Sequence, residues 1–271
     1  MSQAQTPGQA QTPLRMTDIS KAYAGIPALR SAHLEARAGE ALAVMGANGA
    51  GKSTLMNILG GVTSSDSGQI VIDGVEISLR SPRDATKHGI AFVHQELTMF
   101  PTMTVAENIF IDSLPSQAFL TDTKDMIRQS QALLTRLGCT ISPAARVERL
   151  SIGDRQLVEI ARALRHNARI IIFDEPTSSL TGPERQRLFE VVRSLKAAGV
   201  VIIYITHFLD EIFSICERVT VMRNGETVWA SPISDVDPAK VVHLMLGVTE
   251  NGAGSAHRSR RLERLSWPSM A

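Results

Sequence analysis

A chain of 271 residues, 44% hydrophobic and 20% charged, is long enough to bury one large core or two lobes. Its charges nearly cancel at +1, which removes the bulk electrostatic case for a nucleic-acid partner. The longest apolar run, "GVVIIYI", has the length of a strand and falls far short of the roughly 18 residues a membrane span needs.

Residues 1–13, "MSQAQTPGQAQTP", are polar, repeat "QAQTP" and lack the basic-then-apolar order of a secretory signal, so a disordered leader is expected. From Leu14, "LRMTDISKAY" and "IPALRSAHLEA" predict paired strands. "EALAVMG" predicts a short apolar strand running into a glycine-rich loop, and "KSTLMNILGG" has helical spacing closed by glycines. "GQIVIDGVEIS" predicts two short strands around Asp73-Gly74, and "IAFVHQ" over 90–95 a buried strand.

Between about 100 and 165 the pattern turns helical, in "TVAENIFI", "DMIRQSQALLTRLG" and "IGDRQLVEIARALRHN", as expected of a helical insertion in an α/β body. Strands resume with "ARIIIFDE" and "GVVIIYIT", separated by the helix "GPERQRLFEVVRSLKAAG". That alternation predicts an α/β fold with a mostly parallel sheet covered on both faces. "RVTVMRNGETVWA" predicts a hairpin with a type I′ turn at Asn224-Gly225. Residues 249–271 form a basic segment without sustained periodicity, expected to be a flexible tail, with a short helix over 258–265 as the alternative. Cys139 and Cys216 lie far apart in apolar contexts and read as reduced core thiols of a cytosolic protein.

Three stretches carry chemistry. Gly46 to Thr54, "GANGAGKST", fits G-x-x-x-x-G-K-[ST] between an apolar strand and a helix. In that pattern backbone amides wrap phosphates, Lys52 reaches the terminal phosphates and Ser53 offers a hydroxyl to Mg²⁺. "IIIFDE" ends a strand in two carboxylates, where an open α/β sheet places its ligand; Asp174 is expected to help hold Mg²⁺ and Glu175 to polarise a water. The alternative for the pair is a cap on the following helix. His207, ending "VVIIYITH", and Gln95, ending "IAFVHQ", are isolated polar residues at strand ends, usually structural. Beside the other strand ends they become contacts for the γ-phosphate and for Mg²⁺ or water.

"GANGAGKST", Gln95, "LSIGDRQ", "IIIFDEPTSSLT" and "ITH" follow in the order and spacing of an ATP-binding cassette ATPase, which the chain resembles over roughly residues 14–248. "HQELTMFPTMTVAENIF", "YITHFLDEIFSICERVTVMRNG" and "VVHLMLG" are similar to the monosaccharide-importer branch, the ribose, xylose and galactose type. The resemblance implies a P-loop NTPase core with an antiparallel β subdomain and a helical insertion. Its nucleotide is sandwiched between two cassettes. Gly46, Asn48, Gly49, Ala50, Gly51, Lys52, Ser53 and Thr54 would bind one ATP, and the signature loop of a partner cassette would close over it in trans. In its own signature loop this chain offers Ser151 and Gly153 to the partner's ATP. Tyr23 matches the aromatic that stacks on adenine. Implied partners are membrane-spanning permease subunits, a second cassette from the same or another chain and, indirectly, a periplasmic sugar-binding protein, with the chain peripheral on the cytoplasmic face.

The sequence departs from the family in three places. Ile152 and Asp154 replace a glycine and a glutamine of the commonest signature, and Asp154 brings a negative charge toward a phosphate unless it turns away or pairs with Arg155. Thr181 stands where an aspartate usually links the two sites. One cassette is present where this branch usually carries two in tandem, which reads as a truncated tandem protein or a half-size subunit. The leading expectation is an ATP hydrolase energising sugar uptake. The others are a nucleotide-binding remnant that lacks its trans partner, and a non-transport cassette acting on nucleic acid through the basic tail.

Overall fold

The computed structural model describes residues 14–94, 99–112, 116–117 and 120–247; the expected leader over 1–13 and tail over 249–271 lie outside them. Strands β1 (Leu14–Tyr23) and β2 (Ile26–Ala36) pair antiparallel, β1 also pairs with β4 (Ser67–Ile72), and β4 with β5 (Val75–Ile77). The turn between β4 and β5 has φ of 51° at Asp73 and 79° at Gly74, the left-handed pair that a tight hairpin requires.

The parallel part is built from β3 (Ala41–Met45), β6 (Ile90–Val93), β9 (Ile170–Asp174), β10 (Val201–Ile205) and β11 (Arg218–Arg223). β12 (Glu226–Pro232) returns antiparallel to β11 through Asn224 and Gly225, with φ of 52° and 81°, the expected type I′ turn. Both parts belong to a ten-stranded sheet of order β5-β4-β1-β2-β12-β11-β3-β10-β9-β6. The seam between them is thin, one parallel pair at Glu226 and Ser31, and a side chain extends it. The Thr227 hydroxyl accepts the His33 N–H at 2.9 Å and donates to the His33 carbonyl at 2.8 Å, standing in for a ladder rung.

The central strands feed two cores with a period of two. Ala41, Ala43 and Met45 of β3, with Ile171, Phe173, Ile202 and Tyr204, face one cluster; Leu42 and Val44, with Ile170, Ile172, Val201, Ile203 and Ile205, face the other. The first core is covered by α3 (Val105–Ile109), α4 (Thr123–Arg136), α5 (Ile152–Arg165), α6 (Gly182–Ala197) and α8 (Pro238–Leu246). The second is covered by α1 (Lys52–Leu59) and the antiparallel strands. Helix starts follow their side chains: Thr104 with Glu107 and Thr181 with Glu184 form capping boxes, and Asp122 and Ser151 cap α4 and α5.

Four features were not expected from periodicity. α2 (Pro82–Lys87), the small hairpin of β7 (Ser116–Gln117) and β8 (Leu120–Thr121), and α7 (Leu209–Ile215) are too short to show a period. α8 is legible from its ends, Asp237 capping Lys240 before Pro238 and Gly247 closing at φ 73°. Strand β6 ends at Val93, short of the expected 95. Cys139 and Cys216 are buried and free, and burial pushes both thiols up from their ordinary pKa. Among the described residues no helix is long and apolar enough to cross a membrane.

Gly225 sets a test of the seam. A Cβ there would lie 2.8 Å from the Ala28 carbonyl oxygen and 3.1 Å from Leu29 Cα, on a backbone with φ of 81°. Gly225→Ala is expected to destabilise the protein by more than about 1 kcal/mol, read as a lowered midpoint in thermal or denaturant unfolding.

Candidate functional site: a phosphate loop facing three strand ends

Parallel pairing puts the carboxyl ends of β3, β6, β9, β10 and β11 along one edge, and the chemistry-bearing residues follow those ends. β3 runs into the loop of Gly46 to Gly51, which closes on itself and on the neighbouring hairpin. The Ala50 N–H donates to the Ala47 carbonyl at 3.1 Å, and the Gly225 N–H donates to the Ala50 carbonyl at 3.1 Å. The glycines are required by close approach. At Gly46 a Cβ would lie 2.5 Å from the Met222 carbonyl oxygen, and at Gly51 it would lie 2.6 Å from Leu29 Cδ2. Asn48 and Gly49 form the exposed apex, Ala50 is buried beneath it, and Ser53 and Thr54 open the helix that follows.

α1 starts with no side-chain cap and no acidic residue in its first turn, so the loop's side of the helix carries unneutralised amide dipoles. The Lys52 ammonium folds back over the loop and donates to the Gly46 carbonyl at 2.6 Å and the Ala47 carbonyl at 3.1 Å. Burial holds its pKa below that of an ordinary lysine, against the opposing charges of Glu175 and Asp174. Asp174 is held above the usual carboxylate range, first by burial and then by the charge of Glu175, with His94 and Lys52 pulling the other way. A glycine cradle, a half-buried lysine and a carboxylate pair form a donor set that suits a polyphosphate with a divalent metal.

Glu175 does not cap the next helix. α6 starts seven residues later, at Gly182, and is capped by Thr181 with Glu184. Glu175 sits instead in the left-handed region, at φ 46°, with its N–H donating to the Ile205 carbonyl at 2.9 Å across to β10. That bond holds it beside His207, whose Nδ1 is 3.4 Å from Glu175 Oε1. Strain at a non-glycine residue in this conformation is the kind of feature that clusters at functional positions.

The backbone around His207 is braced from below. Thr206 accepts the Phe208 N–H at 3.1 Å and donates to Glu211 Oε2 at 3.1 Å, and the Tyr204 hydroxyl donates to the same oxygen at 3.1 Å. Glu211 is 1% exposed, with Arg185 3.9 Å from its other oxygen. None of this was legible beforehand. Nor was His94, stacked on Phe92 with ring centroids 4.5 Å apart and depressed in pKa by burial against the charge of Asp174. The β6–β9 pairing brings His94 to that edge, and a sequence does not reveal which strands are neighbours.

The remaining expected site residues lie elsewhere. Gln95 is outside the described residues. Tyr23 is 47% exposed at the end of β1, with the Lys21 ammonium 5.8 Å from its ring centroid. Ser151 and Gly153 stand at the N-terminus of α5 and engage neighbours in the same chain: Ser151 accepts the Asp154 N–H at 3.1 Å and the Gly153 N–H donates to Glu184 Oε1 at 3.1 Å. Asp154 is neutralised, but not by Arg155. Its partner is Arg187 of α6 at 2.8 Å, while Arg155 donates to the Val147 and Glu148 carbonyls. Arg155 follows Asp154 directly and leaves the helix in a different direction, whereas Arg187 approaches from a packed neighbouring helix.

A glycine-wrapped loop between a buried strand and a helix, facing two carboxylates and a histidine on adjacent parallel strands, defines a P-loop nucleotide-binding domain. Residues 29–178 match the ABC transporter family, and the chain belongs to that family. It is 43% identical over 244 residues to the ribose import ATP-binding protein RbsA of Clostridium perfringens (strain SM101 / Type A), an alignment covering 89% of this chain and 49% of that one. It is 39% identical over 251 residues to the galactose/methyl galactoside import ATP-binding protein MglA of Escherichia coli (strain K12), covering 93% and 50%. The chain thus spans about half the length of the curated relatives it matches. Among solved structures, a nucleotide-free ATP-binding cassette from an ABC transporter superposes with a TM-score of 0.77 at 28% identity, over 86% of this chain and 98% of that one.

Two substitutions test the geometry. Gly46→Ala drives a methyl into the Met222 carbonyl and is expected to weaken binding of a fluorescent ATP analogue by about tenfold or more, because loop amides must move off their positions. Glu211→Ala removes the acceptor of two buried hydroxyls and is expected to lower stability by roughly 1–3 kcal/mol in denaturant unfolding, with Glu211→Gln milder because it keeps an acceptor.

Proposed function

We propose that the chain binds ATP with Mg²⁺ on its glycine loop, hydrolyses it against a second cassette, and so energises import of a sugar through a membrane transporter. The observation that carries this reading is the meeting of Lys52, Asp174, Glu175 and His207 at one sheet edge, with Glu175 and His207 3.4 Å apart. The amides of Gly46, Asn48, Gly49, Ala50 and Gly51 and the side chains of Lys52, Ser53 and Thr54 hold the phosphates, and the exposed ring of Tyr23 stacks on adenine. Ser53, Asp174 and Gln95 would hold Mg²⁺, which when bound supplies the charge that neutralises the phosphate oxygens.

Glu175 accepts a proton from the water that attacks the γ-phosphorus as the bond to the β–γ bridging oxygen breaks, leaving ADP and phosphate. His207, steadied by the Thr206 and Phe208 contacts, holds the γ-phosphate or the water in line. Ser151 and Gly153, at a helix N-terminus, serve the nucleotide of a second cassette.

The names of the relatives, ribose import and galactose/methyl galactoside import ATP-binding proteins, support a sugar as cargo, and the chain would work on the cytoplasmic face beside permease subunits. A periplasmic sugar-binding protein would take part indirectly. A cleft of about 220 Å³ lined by Phe92, His94, Asp112, Glu159, Arg162 and His166 opens beside the end of β6 and would receive a permease segment. Its mixed charges and apolar lining suit an amphipathic partner.

The test is the ATP hydrolysis rate of the purified chain over a series of protein concentrations, with Glu175→Gln beside it. Specific activity is expected to rise with concentration, and Glu175→Gln to keep ATP binding while losing about 100-fold or more of turnover. Undiminished turnover in Glu175→Gln overturns the assignment.

A further inference from the structure

α6 begins with a carboxylate that serves two helices at once. Glu184 Oε2 accepts the Thr181 N–H at 3.0 Å and the Thr181 hydroxyl at 2.7 Å, closing the capping box of its own helix. Its other oxygen, Oε1, accepts the Gly153 N–H at 3.1 Å, at the N-terminus of α5. The Ser151 hydroxyl also favours the charged carboxylate, and with these donors the Glu184 pKa falls to about 2. The approach explains the glycine at 153 within this chain, since a Cβ there would lie 2.7 Å from Glu184 Cγ and 2.8 Å from Oε1. One helical turn on, Arg187 takes Asp154, so α6 lays an anion on the Gly153 N–H at the α5 N-terminus and a cation on its only first-turn acid.

We propose that the Glu184 carboxylate is a built-in competitor for the signature loop, occupying the Gly153 N–H while the chain is alone and yielding it to the γ-phosphate of a partner cassette's ATP. This rests on the reading that "LSIGDRQ" serves a nucleotide in trans. Two anions do not share one N–H, and a charge that stays close repels the incoming phosphate. The competitor therefore opposes pairing until ATP is present, and it recaptures the Gly153 N–H once hydrolysis removes the γ-phosphate. An ordinary cap has the opposite signature, because a residue that merely pre-shapes the loop strengthens pairing.

The experiment compares Glu175→Gln with Glu175→Gln/Glu184→Gln, in the full chain, as a function of ATP. A glutamine at this position remains compatible with a capping box, and thermal unfolding of both proteins checks that α6 is intact. ATP-dependent pairing is read by analytical ultracentrifugation, and ATP affinity of separate chains at low protein concentration by a fluorescent analogue. The expected result is that the ATP concentration for half-maximal pairing falls by about threefold or more on losing the Glu184 charge, with affinity of the separate chains unchanged. Glu184→Ala in the same background must shift pairing in the same direction. If both proteins pair and the doubly substituted one needs equal or more ATP, the competitor is overturned and the trans reading stands. If neither pairs at saturating ATP, pairing between two copies of this chain falls, and a competitor for that pairing falls with it.

Discussion

Parallel pairing of β3 with β10, and of β10 with β9, is the constraint on which the site depends. Each of these strands is buried on both faces, so each must be apolar along its length, and polar residues can appear only where the strand stops. Because the strands run the same way, they stop at the same edge. A lysine after one, two carboxylates at the end of the next and a histidine after the third are then brought together by backbone register, with Ile205 of β10 beside Asp174 of β9. No side-chain attraction has to assemble them.

Electrostatics at that edge is a mutual compromise. Burial lowers the pKa of Lys52 and raises that of Asp174; each opposes the other's shift, and the charge of Glu175 favours the charged lysine and disfavours the charged aspartate. His94 is part of the same balance, one residue past the end of β6, the strand beside β9.

α6 ties this edge to the helical side of the molecule. Within little more than one turn, Glu184 reaches the start of α5, Arg187 reaches Asp154, and Arg185 reaches Asp210 at 3.7 Å and Glu211 at 3.9 Å on α7. Glu211 in turn accepts from Thr206, the residue before His207. The helix that follows the two carboxylates therefore touches the loop expected to meet a partner's nucleotide and reaches the strand end before the histidine through Glu211. A shift of its first turn has consequences in both places, since packed helices move as units.

Much of this was readable in one dimension. The glycine loop, the acid pair at the end of "IIIFDE", the type I′ turn at Asn224-Gly225 and the longer helices are local: spacing, caps and turn residues act within a few positions, and the structure places each of those elements where the spacing put it. The short α2 and α7 left too few residues for a period to emerge. What no local pattern contained was the set of neighbours across elements: His94 beside Asp174, Glu211 under His207, Glu184 on Gly153, and Arg187 rather than the adjacent Arg155 as the partner of Asp154. Those contacts join residues that sequence separates by as many as 80 positions, from His94 to Asp174. They exist because strand order and helix packing, set by burial over the whole chain, bring the elements together, and a charge finds its partner by distance in space.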